Sequence, residues 1–326
     1  MIAGESRASL RRHRMILALS VLGFLYAVWG FVNGSYLRTA CPKLFINTIF
    51  LSHYSEIFVI LAFGGFAIRA ETNTYTRRRL IALVFFMATM WGAVPFFFPF
   101  REPAVPGLGI SPWFPGVHVP GALSYFVWLA LIFFFGRRVD CGWCCPCVAI
   151  RETVGRPFRE ATIRGEGAWR LRSVQWLAIM AHVVYLVLLF CPRSRFASDY
   201  FGWFWKLVLF GYYLSFLLVP LTGNRNFCRY LCPFGSFYGL VGTLGFFRIE
   251  ADRSLCTGCG QCTSSCDMGI PVQSLVDERG EVRVLECVGC GRCVTECPAQ
   301  ALTMRDVRDG PSRIAKGRED RQPGDR

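Results

Sequence analysis

Six runs of apolar residues, at 15–32, 44–68, 80–100, 122–135, 174–191 and 203–221, constrain this chain more than any other feature. Most reach the ~20 residues that a helix rising about 1.5 Å per residue needs to cross about 30 Å of hydrocarbon. The composition agrees, since 53% of the 326 residues are apolar and 18% charged, whereas soluble domains carry about 25% Asp, Glu, Lys and Arg. The sequence predicts a membrane all-α domain of about six transmembrane helices over residues 1–222. The fourth run is short, though residues 117–121 can extend it. The third ends among Pro95, Pro99, Pro103 and Pro106, which should unwind it near the surface.

Basic residues beside the span ends set the orientation. Thirty of the 36 Lys and Arg fall on one side: Arg7, Arg11, Arg12 and Arg14, then Arg69, Arg77, Arg78 and Arg79, then eight between Arg137 and Arg172, then fourteen after the sixth run. The opposite loops hold only Arg38, Lys43, Arg101, Arg193 and Arg195. The expectation is a multi-pass protein of a bacterial inner (cytoplasmic) membrane with both termini in the cytoplasm. The net charge of +14 is then a topology signal in contact with membrane lipid, and nucleic acid is not expected as a partner. The first run exceeds the length of a signal peptide core and reads as a retained helix. Residues 235–247 are apolar but too short to span, and are expected to lie in the inner interface.

Sixteen cysteines need a separate account. Cys256, Cys259, Cys262 and Cys266 repeat the C-x2-C-x2-C-x3-C spacing of Cys287, Cys290, Cys293 and Cys297, the pattern of two-cluster bacterial ferredoxins, in which the fourth cysteine of each run serves the other cluster. On that rule Cys256, Cys259, Cys262 and Cys297 hold one [4Fe-4S] cluster, and Cys287, Cys290, Cys293 and Cys266 hold a second. Three thiolates converging from so short a loop need sharp turns, which Gly258, Gly260, Gly289 and Gly291 permit. Zinc sites prefer two C-x2-C pairs, and disulfides are disfavoured in a reducing cytoplasm. Asp267 stands where a proline commonly follows the fourth cysteine. Short strands at 247–249, 282–285 and 301–304 are expected around the clusters, giving a small α+β ferredoxin-like domain over residues 248–306. The charged remainder, residues 307–326, is expected to be disordered.

Two more cysteine groups follow the fourth and sixth runs on the cytoplasmic side. Cys141, Cys145 and Pro146 form a C-x3-C-P motif within the loop 137–173; Cys228, Cys232 and Pro233 form another within residues 223–247. Four thiolates from two helix ends suffice for a metal centre if the ends meet; a third iron-sulfur cluster, a different metal and a redox dithiol all stay open. Cys144 and Cys147 add alternative ligands, because Cys141, Cys144 and Cys147 also make C-x2-C-x2-C.

With helices followed by paired C-x3-C-P motifs and a C-terminal two-cluster ferredoxin, residues 80–305 resemble the NapH-type membrane polyferredoxins, a family that includes MauN and, more distantly, the membrane parts of NosR and CcoG. The resemblance implies an inner-membrane electron-transfer protein, in one branch passing electrons from quinol toward a reductase, with a protein redox partner. A competing role is maturation or regulation, in which the clusters reduce a metal ion or disulfide during assembly of another enzyme.

His53 and Glu56 lie three apart, on one face of the second run and within the outer leaflet. Ionisable groups at that depth are candidates for function, and quinol oxidation needs a base, so both are candidate quinol and proton-transfer residues. His182, in the fifth run, lies at a different depth from His53, which argues against a haem held between them. Cys41 and Cys191 fall on the outer side, where a disulfide can persist.

Overall fold

A computed structural model describes residues 7–52, 54–97, 119–189 and 195–309. Helix α1, Arg7–Phe31, widens into a π-helical stretch at Val32–Leu37. The run expected to be helical from residue 44 is not. Its first part forms short 3-10 turns at Pro42–Leu44 and Ile49–Leu51, and helix α2 covers only Tyr54–Ala70. The cause is Asn33, fully buried in the π-helical stretch. Its amide nitrogen donates to the carbonyls of Ile46 (2.8 Å) and Leu51 (2.6 Å), and its oxygen accepts from the Ile46 N–H at 3.0 Å. Backbone groups satisfied in this way have no need of a helix.

Asn73 caps helix α3, Thr74–Phe86, by accepting from the N–H groups of Tyr75 and Thr76. A π-helical segment, Met87–Ala93, and a short turn, Val94–Phe97, follow. Helix α4 is Val119–Phe135 and α5 is Pro146–Thr153. Glu166–Arg170 and Leu171–Ser173 lead into α6, Val174–Leu188, and α7 is Arg195–Leu217. Among the described residues, two helical stretches are long and apolar enough to cross a membrane, His13–Ala40 and Glu166–Leu188, with a shorter apolar helix at Tyr125–Phe135.

Helix α8 is Pro233–Leu244. It packs against α4 and α6, with Pro233, Phe234, Gly235, Ser236, Tyr238, Gly239 and Gly242 buried. Its small residues explain why. A Cβ at Gly239 would stand 2.2 Å from the Leu285 carbonyl oxygen, and one at Gly235 2.5 Å from the Arg137 guanidinium. Only glycine permits those approaches.

The C-terminal module carries a three-stranded antiparallel sheet of order β2-β1-β3, with β1 Arg248–Ala251, β2 Glu281–Val282 and β3 Leu302–Arg305. Ile249 pairs with Val282 on one side and Met304 on the other. Helix α9, Val272–Arg279, joins the first two strands. The fold continues past the expected boundary at 306: Val307–Asp309 is a 3-10 turn, and Asp306 pairs with Arg138 and Arg308. The rest of the expected tail, 310–326, lies outside the described residues. One apolar core runs from the bundle (Phe24, Ile60, Leu83, Phe216) through Phe227 into the module (Phe247, Ile249, Met268, Val288), so module and bundle pack as one body.

Candidate functional site

The two C-x3-C-P motifs belong to a longer repeat. Residues 136–146 and 223–233 both read G-x-R-x2-C-x3-C-P, a signal that extends the motif five residues upstream and that the cysteine spacing alone does not reveal. Gly136 (φ +80°) and Gly223 (φ +88°) turn the chain in the left-handed region at equivalent places. Cys145 and Cys232 are both extended (φ/ψ −70°/124° and −73°/108°), and each precedes a proline that starts a helix, as the steric limits on a pre-proline residue require.

The repeats clasp one another. Arg137 of the first donates to the Cys228 carbonyl at 3.1 Å, and Arg225 of the second donates to the Cys141 carbonyl at 3.3 Å. Arg137 also donates from Nε to the Cys141 sulfur at 3.3 Å, while the Gly235 N–H donates to the Cys232 sulfur at 3.2 Å. A cavity of about 420 Å³ is lined by Cys141, Cys145, Cys147, Cys228 and Cys232. Cys144 is not among its lining residues and packs instead beside the aromatic cluster of Tyr125, Phe204, Phe234 and Tyr238. Of the two alternative ligands, only Cys147 lines this cavity. Glu56, in the first turn of α2, lines the same cavity with Trp91, Trp205, Tyr212 and Tyr213. Its expected companion His53 lies outside the described residues.

In the module the thiols fall into two interleaved sets. Cys256, Cys259, Cys262 and Cys297 line one cavity; Cys266, Cys287, Cys290 and Cys293 line another. Gly258, Gly260, Gly289 and Gly291 all take positive φ, between +59° and +79°. Among the described residues no three His, Cys, Asp or Glu side chains converge tightly enough for a single metal ion. A cubane asks for a different arrangement, four thiolates spread around a larger body, and both rings of cysteine fit that demand. Burial pushes the Cys266 thiol up to about 12 and the Cys287 thiol to about 11. A thiol must lose its proton to ligate a metal, so loading these sites releases protons.

The second ring faces the bundle. Arg137 Nη1 donates to the Leu285 carbonyl at 2.8 Å and the Tyr75 hydroxyl to the Gly289 carbonyl at 3.3 Å, while the Arg138 guanidinium stacks 5.0 Å from the Phe247 ring. Cys259 of the first ring is exposed. Two other candidates are placed differently from the cysteine centres. His182 is fully buried and its Nε2 bonds the Tyr125 hydroxyl at 2.8 Å. Cys41 is exposed and unpaired, while Cys191 lies outside the described residues.

These features define a ferredoxin-type 4Fe-4S protein, and the comparisons agree. Residues 248–298 match a 4Fe-4S dicluster domain, and residues 117–164 and 204–249, which contain the two repeats, match a 4Fe-4S binding domain. The chain is related to the proteins NapH and MauN. It is 36% identical over 161 residues to the methylamine utilization ferredoxin-type protein MauN of Paracoccus denitrificans, covering 45% of this chain and 53% of that one. To the ferredoxin-type protein NapH of Haemophilus influenzae it is 26% identical over 168 residues (46% and 55%), and to YccM of Escherichia coli 30% over 184 residues (51% and 51%). The chain thus spans about half the length of these relatives. No solved structure matches it.

Proposed function

We propose that the chain is an inner-membrane electron-transfer subunit that passes electrons between the quinone pool and a protein redox partner through [4Fe-4S] clusters, with both termini and the ferredoxin module in the cytoplasm. The observation that carries this reading is the shared chamber, lined both by Glu56 and by cysteines of the two C-x3-C-P motifs. An apolar cavity with few polar groups suits a quinone ring, and thiols of both motifs form part of the wall of this one. The six-span count draws support from the apolar residues that every long helix turns outward: Leu22, Phe66, Phe85, Phe126, Leu177 and Leu207 are all exposed, a surface that lipid would cover.

Cys256, Cys259, Cys262 and Cys297 hold the first cluster, Cys266, Cys287, Cys290 and Cys293 the second, and Cys141, Cys145, Cys228 and Cys232 a third. Bound there, the clusters supply one-electron transfer at potentials tuned by hydrogen bonds to sulfur and by burial. Glu56 takes the proton that quinol gives up with its electrons. Tyr212 and Tyr213 offer hydroxyls to the ring oxygens, and Met87, Trp91 and Trp205 exclude water. The second ring is fastened to the bundle through Leu285 and Gly289, whereas Cys259 is exposed. The redox partner accordingly docks at the Cys256–Cys259 face.

Iron and acid-labile sulfide in an anaerobic preparation test the cluster count. About twelve irons per chain are expected, about eight would remove the third centre, and fewer than six in intact protein would overturn even the two-cluster assignment. A role in maturation would instead work through the outer thiol. Cys41→Ser should leave quinol-driven cluster reduction unchanged, and its loss would favour the maturation role.

A further inference from the structure

Arg137 is 1% exposed, yet among the described residues no carboxylate forms an ion pair with it. Of the other buried arginines, Arg79 and Arg225 share Glu152 and Arg138 has Asp306, while Arg151 and Arg229 donate to neutral oxygens; Arg137 alone of them donates to a cysteine sulfur. A buried cation without an anion is costly. What surrounds the Arg137 guanidinium is sulfur and carbonyl: the Cys141 thiol, the Cys228 carbonyl and the Leu285 carbonyl. Gly235 leaves the space it occupies, since a Cβ there would meet Nη2 at 2.5 Å.

We propose that Arg137 is the positioning residue of the C-x3-C-P centre, supplying the buried positive charge that a thiolate-bound cluster calls for and raising that centre's reduction potential. The role rests on the reading of Cys141, Cys145, Cys228 and Cys232 as cluster ligands. A one-electron reduction adds a negative charge to the centre, and a fixed cation hydrogen-bonded to Cys141 Sγ favours the reduced form. The same side chain holds both repeats and the segment leading to Cys287, so it fixes the distance between this centre and the second ring. An acid also stands at this thiol, since the buried Asp140 accepts from Cys141 Sγ at 3.5 Å, so the Arg137 charge is set against that carboxylate as well as the thiolates.

The test is an EPR-monitored redox titration of the full-length holoprotein, unaltered and as Arg137→Gln and Arg137→Lys, with iron counted in each. In Arg137→Gln one of three centres should show at least a tenfold smaller reduced-to-oxidised ratio at fixed potential, about 59 mV lower for a one-electron couple. The centre at the Cys256–Cys259 face should stay within twofold. Arg137→Lys, which keeps the charge but loses the fork, should recover most of the shift. About twelve irons with every midpoint within twofold of the unaltered chain would overturn the role. Should the variants lose the third centre on purification, the unaltered chain grown with arginine carrying 15N in the guanidinium alone decides the matter. A nitrogen hyperfine coupling on one centre is expected, and its absence overturns the role. About eight irons in the unaltered chain would remove the reading on which it rests.

Discussion

Glu152 does at residue level what no apolar side chain could do in its place. Buried on α5, it accepts from Arg79 of α3 at 2.8 Å and from Arg225 of the second repeat at 2.5 and 3.0 Å. Burial alone would raise its pKa, but Arg79 and Arg225 outweigh burial and hold the carboxyl well below the usual carboxylate range. Its contribution is therefore complete above the ordinary glutamate pKa of about 4.3 and is lost only as pH falls through the lower folded-state value. Removing the charge leaves two buried arginines uncompensated. Glu152→Gln should destabilise the fold by ~3–5 kcal/mol, read as a lower thermal midpoint in detergent. It should also flatten the acid limb of the stability profile, because the group that titrates there is gone; an unchanged acid limb would contradict the assignment.

At the scale of elements, the repeats are helices that end in a left-handed glycine and restart at a proline after the second cysteine. The ferredoxin loops were legible in the sequence because the information is local: four cysteines and two turn glycines within eleven residues, as at 256–266, dictate how the chain must curl. The strands were legible to within two or three residues for the same reason. The reciprocal clasp was not, since Arg137 and Cys228 stand 91 residues apart and no spacing rule connects them. Nor was the burial of α8, where hydropathy marks an apolar stretch and the signal for close packing lies in its glycines. Asn33 likewise broke the second run through contacts 13 and 18 residues away. The packing of α8 is open to a direct check. Gly239→Ala puts a methyl against the Leu285 carbonyl and should cost ~1–3 kcal/mol, with faster proteolytic release of the module. Gly65→Ala, where nothing lies within 4 Å, should be neutral or slightly stabilising.

On the scale of the whole molecule, the continuous core and the Arg138–Asp306 and Arg137–Leu285 links make the module an extension of the bundle. Composition and charge divide the sequence into an apolar part and a charged, cysteine-rich part, but do not say that the two share a core, because that depends on which surfaces meet. The chamber belongs to this scale too. Glu56 came from the sequence as an ionisable residue in an apolar run and the cysteines as a motif, and only folding brings both to one cavity. The most direct measurement is the anaerobic reduction of the clusters by quinol, followed by loss of their visible absorbance, in full-length protein reconstituted into lipid vesicles. The account predicts bleaching in the unaltered chain and a rate lower by about 10²-fold or more in Glu56→Gln, as for loss of a proton acceptor, with iron content unchanged. Bleaching at the same rate in Glu56→Gln, or none in fully loaded unaltered protein, would contradict it.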